Sequence, residues 1–168
     1  VYDWAKRVCL FASAATEQTV LDVRFVRDED FASCGVDHVH FWSRHGRTFR
    51  RQRGLLGKKT SKQPLLCVAG FGESVITGAI SGNLLVWEGN LIKCEISGAS
   101  GNCHAGALQA VVLDGASVIT GGNDGYIRTW PVDVIQSAEP TDDMPIFALE
   151  PRSSLCLLDV EKGRSVSR

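Results

Sequence analysis

Apolar and polar residues along this chain alternate with a period of two in short runs, and turns rich in glycine, asparagine and aspartate punctuate the runs. The stretch 117–130, Ser-Val-Ile-Thr-Gly-Gly-Asn-Asp-Gly-Tyr-Ile-Arg-Thr-Trp, is the clearest instance. Residues 117–120 are β-branched and apolar, which suits a half-buried pleated surface. Asn123, Asp124 and Gly125 tolerate the positive φ that a tight hairpin needs. Residues 126–130 then return as a second strand, with Tyr126, Arg128 and Trp130 on one side and Ile127 and Thr129 on the other.

The unit recurs upstream. Residues 74–87, ending in Trp87, are close to a copy, and residues 30–42, ending in Trp42, are a looser one. Trp42, Trp87 and Trp130 stand 45 and 43 residues apart. Val1-Tyr2-Asp3-Trp4 looks like the tail of another copy. A period of about 40–45 residues, with a small-residue strand, a turn and a strand closing on Trp, predicts β-propeller blades of four antiparallel strands. The expected units are 18–53, 63–97 and 104–137 as full blades, 1–15 as the end of a blade, and 144–168 as the start of a further one. Innermost strands are expected at 20–26, 65–71 and 108–113. The run 132–135 is read as the fourth strand of the last full blade. Pro140, Asp142, Asp143 and Pro145 read as a loop, 146–149 and 155–160 as first strands beyond it, and 162–168 as a frayed end. No helix is predicted. The fold class is therefore all-β, an incomplete propeller of about three full blades with partial ones at both ends. The chain opens inside a strand without a Met, so it reads as a piece of something longer. An open arc exposes unpaired strand edges, so order is expected inside a larger chain or through self-association at those edges.

Composition changes this picture little. A chain of 168 residues can bury about 70% of its unfolded surface. Its 44% apolar and 22% charged residues are those of an ordinary globular protein, and a net charge of −1 points to no partner. No apolar run approaches the ~20 residues of a membrane span, so no membrane is implied as a partner. The six cysteines, at 9, 34, 67, 94, 103 and 156, are irregularly spaced and form no C-x-x-C pair. They read as reduced, buried thiols of a cytoplasmic protein, not as a disulfide framework.

With the repeats laid out, the chain resembles the WD-repeat β-propellers. His104 falls where the family's Gly-His histidine does, although here it precedes a glycine. Thr120 matches the second-strand Ser/Thr, Asp124 the turn aspartate and Trp130 the third-strand Trp. The resemblance implies a buried chain of hydrogen bonds through His104, Thr120, Asp124 and Trp130, which is sound chemistry for an imidazole between a carboxylate and a hydroxyl. The second unit has Thr77 and Trp87 but Ser81 in place of the aspartate and no His. The first has Ser33, Trp42 and a shifted Asp37. Those two are expected to hold less tightly or by other bonds. Over about 1–136, His40-Phe41-Trp42, Gly54-Leu55-Leu56-Gly57-Lys58-Lys59, Leu66-Cys67-Val68 and the run 77–87 together are similar to the echinoderm microtubule-associated protein-like family. That resemblance implies tandem propellers, tubulin or microtubules and other cytoskeletal proteins as partners, and a cytoplasmic, cytoskeletal location at spindle or cilium. The family's hydrophobic signature motif and its trimerising coiled coil have no counterpart here.

The one stretch whose chemistry suggests a partner is 44–62. Arg44, Arg47, Arg50, Arg51, Arg53, Lys58, Lys59 and Lys62 lie in it without a single acid. It reads either as an electropositive surface for an acidic partner such as tubulin or as a solvated outer strand and loop, since edge strands favour such residues. Nucleic acid is disfavoured, because Phe49 alone does not supply spaced aromatics for base stacking. Cys34, His38 and His40 form C-x3-H-x-H without an evident fourth ligand, so no metal is assigned. Cys103 beside His104 is not a dyad without a third orienting group. Asp142 and Asp143 read as a solvated loop, and 121–125 joins two strands instead of opening a helix, so it is no phosphate cradle. No cofactor and no catalytic residue is assigned. Three readings follow: a non-enzymatic tubulin-binding scaffold, a propeller scaffold without tubulin contact, and, against the residues, a propeller hydrolase completed by residues elsewhere.

Overall fold

The computed structural model describes residues 1–14, 16–139 and 146–157. The Pro140–Pro145 loop with Asp142 and Asp143, and residues 158–168, lie outside them.

The chain opens as a two-stranded hairpin, β1 (Tyr2–Asp3) with β2 (Val8–Cys9). Three antiparallel sheets follow, each an up-and-down meander. The first is β3 (Val20–Phe25), β4 (Phe31–Gly35), β5 (Val39–His45) and β6 (Thr48–Arg53). The second is β7 (Leu65–Phe71), β8 (Ser74–Ala79), β9 (Leu84–Glu88) and β10 (Leu91–Gly98). The third begins with β11 (Leu108–Asp114), β12 (Ser117–Gly122) and β13 (Tyr126–Pro131). These sheets have the strand order predicted for propeller blades, and the spacing of apolar residues along each strand aims its side chains.

The second sheet is buried on both faces, and for that reason its strands are nearly continuous apolar runs instead of alternating ones. One face, with Val68, Val75, Leu85 and Trp87, packs on Ala32, Cys34, Val39 and Phe41 of the first sheet. The other, with Cys67, Ile76, Val86, Cys94 and Ile96, packs on Leu108, Val111, Val118 and Trp130 of the third. The inner strands approach closely. A Cβ at Gly70 would lie 2.5 Å from the Val26 Cα. Asp22 of β3 reaches across to accept the Val68 N–H at 3.0 Å.

The three tryptophans occupy matching places. The register pairs Phe31 with Trp42, Val75 with Trp87 and Val118 with Trp130. Two residues further along the second strand a hydroxyl accepts the indole N–H: Ser33 at 3.0 Å, Thr77 at 3.0 Å and Thr120 at 2.8 Å. Thr77→Val would leave the fully buried Trp87 N–H without an acceptor, at a cost of about 2 kcal/mol. Thr77→Ser should restore most of that stability in urea unfolding followed by tryptophan fluorescence.

Two expectations are corrected. Residues 132–135 are not a strand: α1 (Val132–Ser137) takes their place. Its β-branched composition reads as strand, but Val132, Ile135 and Ala138 recur at helical spacing and all three pack on the core between the second and third sheets. Asp133 sits in the first helical turn, where negative charge is favoured. Secondly, the runs beyond the loop do not begin a new sheet. The strand β14 (Ile146–Leu149) adds in parallel to β10, and β15 (Ser153–Cys156) pairs with β13 as the outer strand of the third sheet. The strand β3 stands at the edge of its sheet and is largely exposed, with Phe25 at 64%.

Candidate functional site

The loop that leads from β10 to β11 carries His104, and the β12–β13 turn carries Asp124. The structure brings His104, Thr120, Asp124 and Trp130 together. The Trp130 N–H is donated to the Thr120 hydroxyl at 2.8 Å, and His104 Nε2 lies 2.7 Å from the same oxygen. His104 Nδ1 lies 2.9 Å from Asp124 Oδ1. The indole N–H is donated to the hydroxyl, the imidazole bridges that hydroxyl and the carboxylate, and the Arg128 guanidinium also lies 2.7 Å from Nδ1. Burial lowers the His104 pKa below its ordinary value and outweighs the pull of Asp124 in the other direction. A Cβ at residue 122 would lie 2.4 Å from His104 Nδ1, so only glycine leaves the ring its place.

Arg128 completes the arrangement, and motif comparison alone misses it. Its guanidinium donates to Asp124 Oδ2 at 2.7 Å and lies 4.5 Å over the Tyr126 ring. Strand alternation was the available signal, since Arg128 shares a face with Trp130. The Asp124 carboxylate also accepts the N–H groups of Ala105 at 3.0 Å and Tyr126 at 3.2 Å. Burial alone would raise its pKa, but the bonds from His104, Arg128, Ala105 and Tyr126 hold it well below the usual carboxylate range. Every polar atom of this cluster is thus committed to fastening the loop to the hairpin.

The other sheets fasten their loops differently. In the second, Gln63 accepts the Ser81 N–H at 3.1 Å, and buried Asn83 donates to Glu95 at 2.7 Å while accepting the Cys103 N–H at 3.1 Å. In the first, Asp37 pairs with Lys62 at 3.2 Å and not with a histidine.

The eight bases of 44–62 are exposed but do not form one face. Arg51 and Arg53 oppose Trp42 and His40 on one side of β6, and Arg50 opposes Ser43 on the other. Arg51 lies 5.9 Å over the Trp42 ring. Arg44 is paired with Glu29. Lys59 donates to the Lys93 carbonyl at 2.9 Å. Arg47 flanks the β5–β6 turn, and Lys58 lies in the loop after β6. Phe49 packs beneath the strand, 5.2 Å from Phe31 and 5.1 Å from Phe11.

Cys34 points into the seam between the first and second sheets, whereas His40 shares the opposite face with Ser33. The C-x3-H-x-H spacing therefore does not converge, and no group of three or more metal-binding side chains occurs among the described residues. The cysteines are free. Burial pushes the Cys67 and Cys103 thiols up to about 12 and Cys94 up to about 11, so they stay protonated. Cys9, expected to be buried, is exposed, and Cys156 is half-buried.

No protein-family model matches the sequence. Among curated proteins, cilia- and flagella-associated protein 44 of Mus musculus is 33% identical over 166 residues, which is 92% of this chain. Echinoderm microtubule-associated protein-like 2 of Mus musculus is 34% identical over 152 residues, 85% of this chain. Echinoderm microtubule-associated protein-like 1 of Homo sapiens is 33% identical over 138 residues, 77% of this chain. The chain belongs with the WD-repeat proteins, and its relatives are of both the cilia- and flagella-associated and the echinoderm microtubule-associated protein-like kinds. This WD-repeat chain spans 9%, 23% and 16% of the length of those three relatives. A solved structure, the computationally designed Ika8 protein, overlays 67% of this chain and 33% of its own at a TM-score of 0.48 and 19% identity, a likeness too loose to argue from.

Proposed function

We propose that this WD-repeat chain is part of a non-enzymatic scaffold of the microtubule cytoskeleton, acting in the cytoplasm or at the cilium, and that it contacts tubulin through the basic strand β6 and its flanking loops. The carrying observation is the 34% identity, over 85% of the chain, to a protein named for its association with microtubules. A relative named for cilia and flagella is similar over 92%. The local support is charge: Arg50, Arg51 and Arg53 stand exposed on an outer strand, and salt-sensitive attraction to an acidic surface follows from such a placement. The role calls for no chemistry, and the polar cluster at His104 is spent on structure.

Charge reversal at Arg50 and Arg51 to Glu tests this. In the full-length protein it should weaken co-sedimentation with polymerised tubulin by about tenfold at low salt and by less at physiological salt. Unchanged pelleting at low salt would remove β6 from the contact. A wild-type protein that stays in the supernatant at saturating microtubules would instead favour a scaffold for other cytoskeletal proteins.

A further inference from the structure

His38 and His40 are the unexplained polar groups of the first sheet. Each is 6% exposed, and their rings stack at 4.8 Å. Neither nitrogen of His38, nor Nδ1 of His40, has a hydrogen-bond partner among the described residues. Buried polar groups are normally paired, so an orphaned pair calls for an account. His38 borders open space on two sides, and His40 on one of them. On one side lies a polar cleft with Glu17, Gln18 and Arg53. On the other is a cavity of about 520 Å³ walled by Val39, Leu56, Leu65 and Trp87. Asp37, His38, Arg53 and Lys62 line both, so the two form one groove with a polar end and an apolar end.

Charge decides what the groove takes. The charged groups facing the imidazoles are Arg51 and Arg53 from β6, Lys62 and Asp37, which pair with each other, and Glu17 from the segment before β3. The balance is positive. A metal cation would meet repulsion and only two neutral ligands, whereas an anion would meet two N–H donors and flanking cations. The apolar end then requires a body attached to that anion.

We propose that this groove binds an acidic peptide segment, with a carboxylate accepting from His38 and His40 and a neighbouring apolar side chain in the cavity against Leu56 and Trp87. The proposal draws on the scaffold reading only for the acidic character of the partner. Burial, the adjacent imidazole and Arg51 and Arg53 hold His40 down to about 4, and burial with Arg53 and Arg51 lowers His38 against the pull of Asp37. A bound carboxylate favours the protonated ring, so affinity rises as pH falls.

The test uses the full-length protein and a fluorescein-labelled peptide of alternating Glu and Leu, with Gln-for-Glu and Ser-for-Leu versions as controls. Anisotropy should show both controls binding at least about tenfold more weakly. Affinity for the Glu-Leu peptide should rise about threefold or more from about pH 7.5 to about pH 6. The surface variants Arg53→Gln and Lys62→Gln, which leave the core intact, should each weaken it about tenfold or less. Ring proton signals of His38 and His40 in NMR should move on saturation. Equal affinity for the Glu and Gln peptides, or unmoved ring signals, overturns the groove. So does a response of those signals to zinc chloride but not to peptide. Microtubule pelleting separates the two readings: intact pelleting with no peptide bound overturns the groove alone, and peptide bound without pelleting overturns the tubulin contact alone.

Discussion

Replacing Asp124 by alanine is expected to lower the unfolding free energy by about 3–5 kcal/mol, the range for removing one partner of a buried ion pair. The carboxylate is 8% exposed and accepts from His104, Arg128, Ala105 and Tyr126. Its loss leaves the Arg128 guanidinium, 18% exposed, without its counter-charge, and removes the carboxylate beside His104 Nδ1. Asp124→Asn should cost less, because its amide oxygen can still accept while the charge is lost. Arg128→Ala in the Asp124→Ala background should recover part of the loss, since the stranded charge goes with it. Urea unfolding read by tryptophan fluorescence gives all four values. A loss below about 1 kcal/mol for Asp124→Ala would mean that solvent or a neighbour replaces the carboxylate, and that the loop is not held by it.

The second large effect is a loss of stability on mild acidification. His38, His40 and His104 all have folded pKa values below the ordinary 6.5, chiefly through burial. In the window beneath 6.5 the unfolded chain takes up protons that the folded chain resists. Stability is therefore full above 6.5 and falls as pH drops toward the folded values. For His40, whose folded value is about 4, the drop from 6.5 amounts to about 3 kcal/mol. Asp124 acts in a lower window. Its depressed pKa contributes stability above the ordinary carboxylate value that is lost only as pH falls below it. The loss between about pH 6.5 and pH 4.5 thus belongs mainly to the histidines. Unfolding at a series of pH values should show it, and His40→Phe should flatten the slope. A wild-type profile that is level from about pH 7 to pH 5 would contradict the burial of all three rings.

Much of this was legible before any coordinates. The eleven strands from β3 to β13 lie where apolar patterning and turn residues put them, because a strand with one buried face writes that face into every second residue and a strand buried on both faces reads as a continuous apolar run. The three tryptophans were legible from their recurrence at 45 and 43 residues, and their hydroxyl partners only from the resemblance to WD repeats. The segment after Trp130 was not. Val132 and Ile135 carry strand-like side chains, and only the packing of α1 on the core decides for a helix; over six residues the two periods are hard to tell apart. Nor does anything within Ile146–Leu149 or Ser153–Cys156 say which existing sheet edge each will join, since edge pairing depends on what lies nearby in space. In the polar cluster the motif supplied four members and the fifth, Arg128, came from geometry. The divided basic strand was hidden by the opposite tendency. Eight charges adjacent in sequence read as one patch, but neighbours on a strand face opposite ways.

The tryptophan seats have a consequence for how such sheets can be multiplied. Trp87 looks back at the first sheet, Trp130 looks back at the second, and Trp42 looks back at Phe11. Each sheet therefore has a front unlike its rear, and the row has a direction. Identical fronts cannot mate by a twofold axis without discarding the fit that holds the row together, so growth in either direction proceeds nose to tail, like cups in a stack.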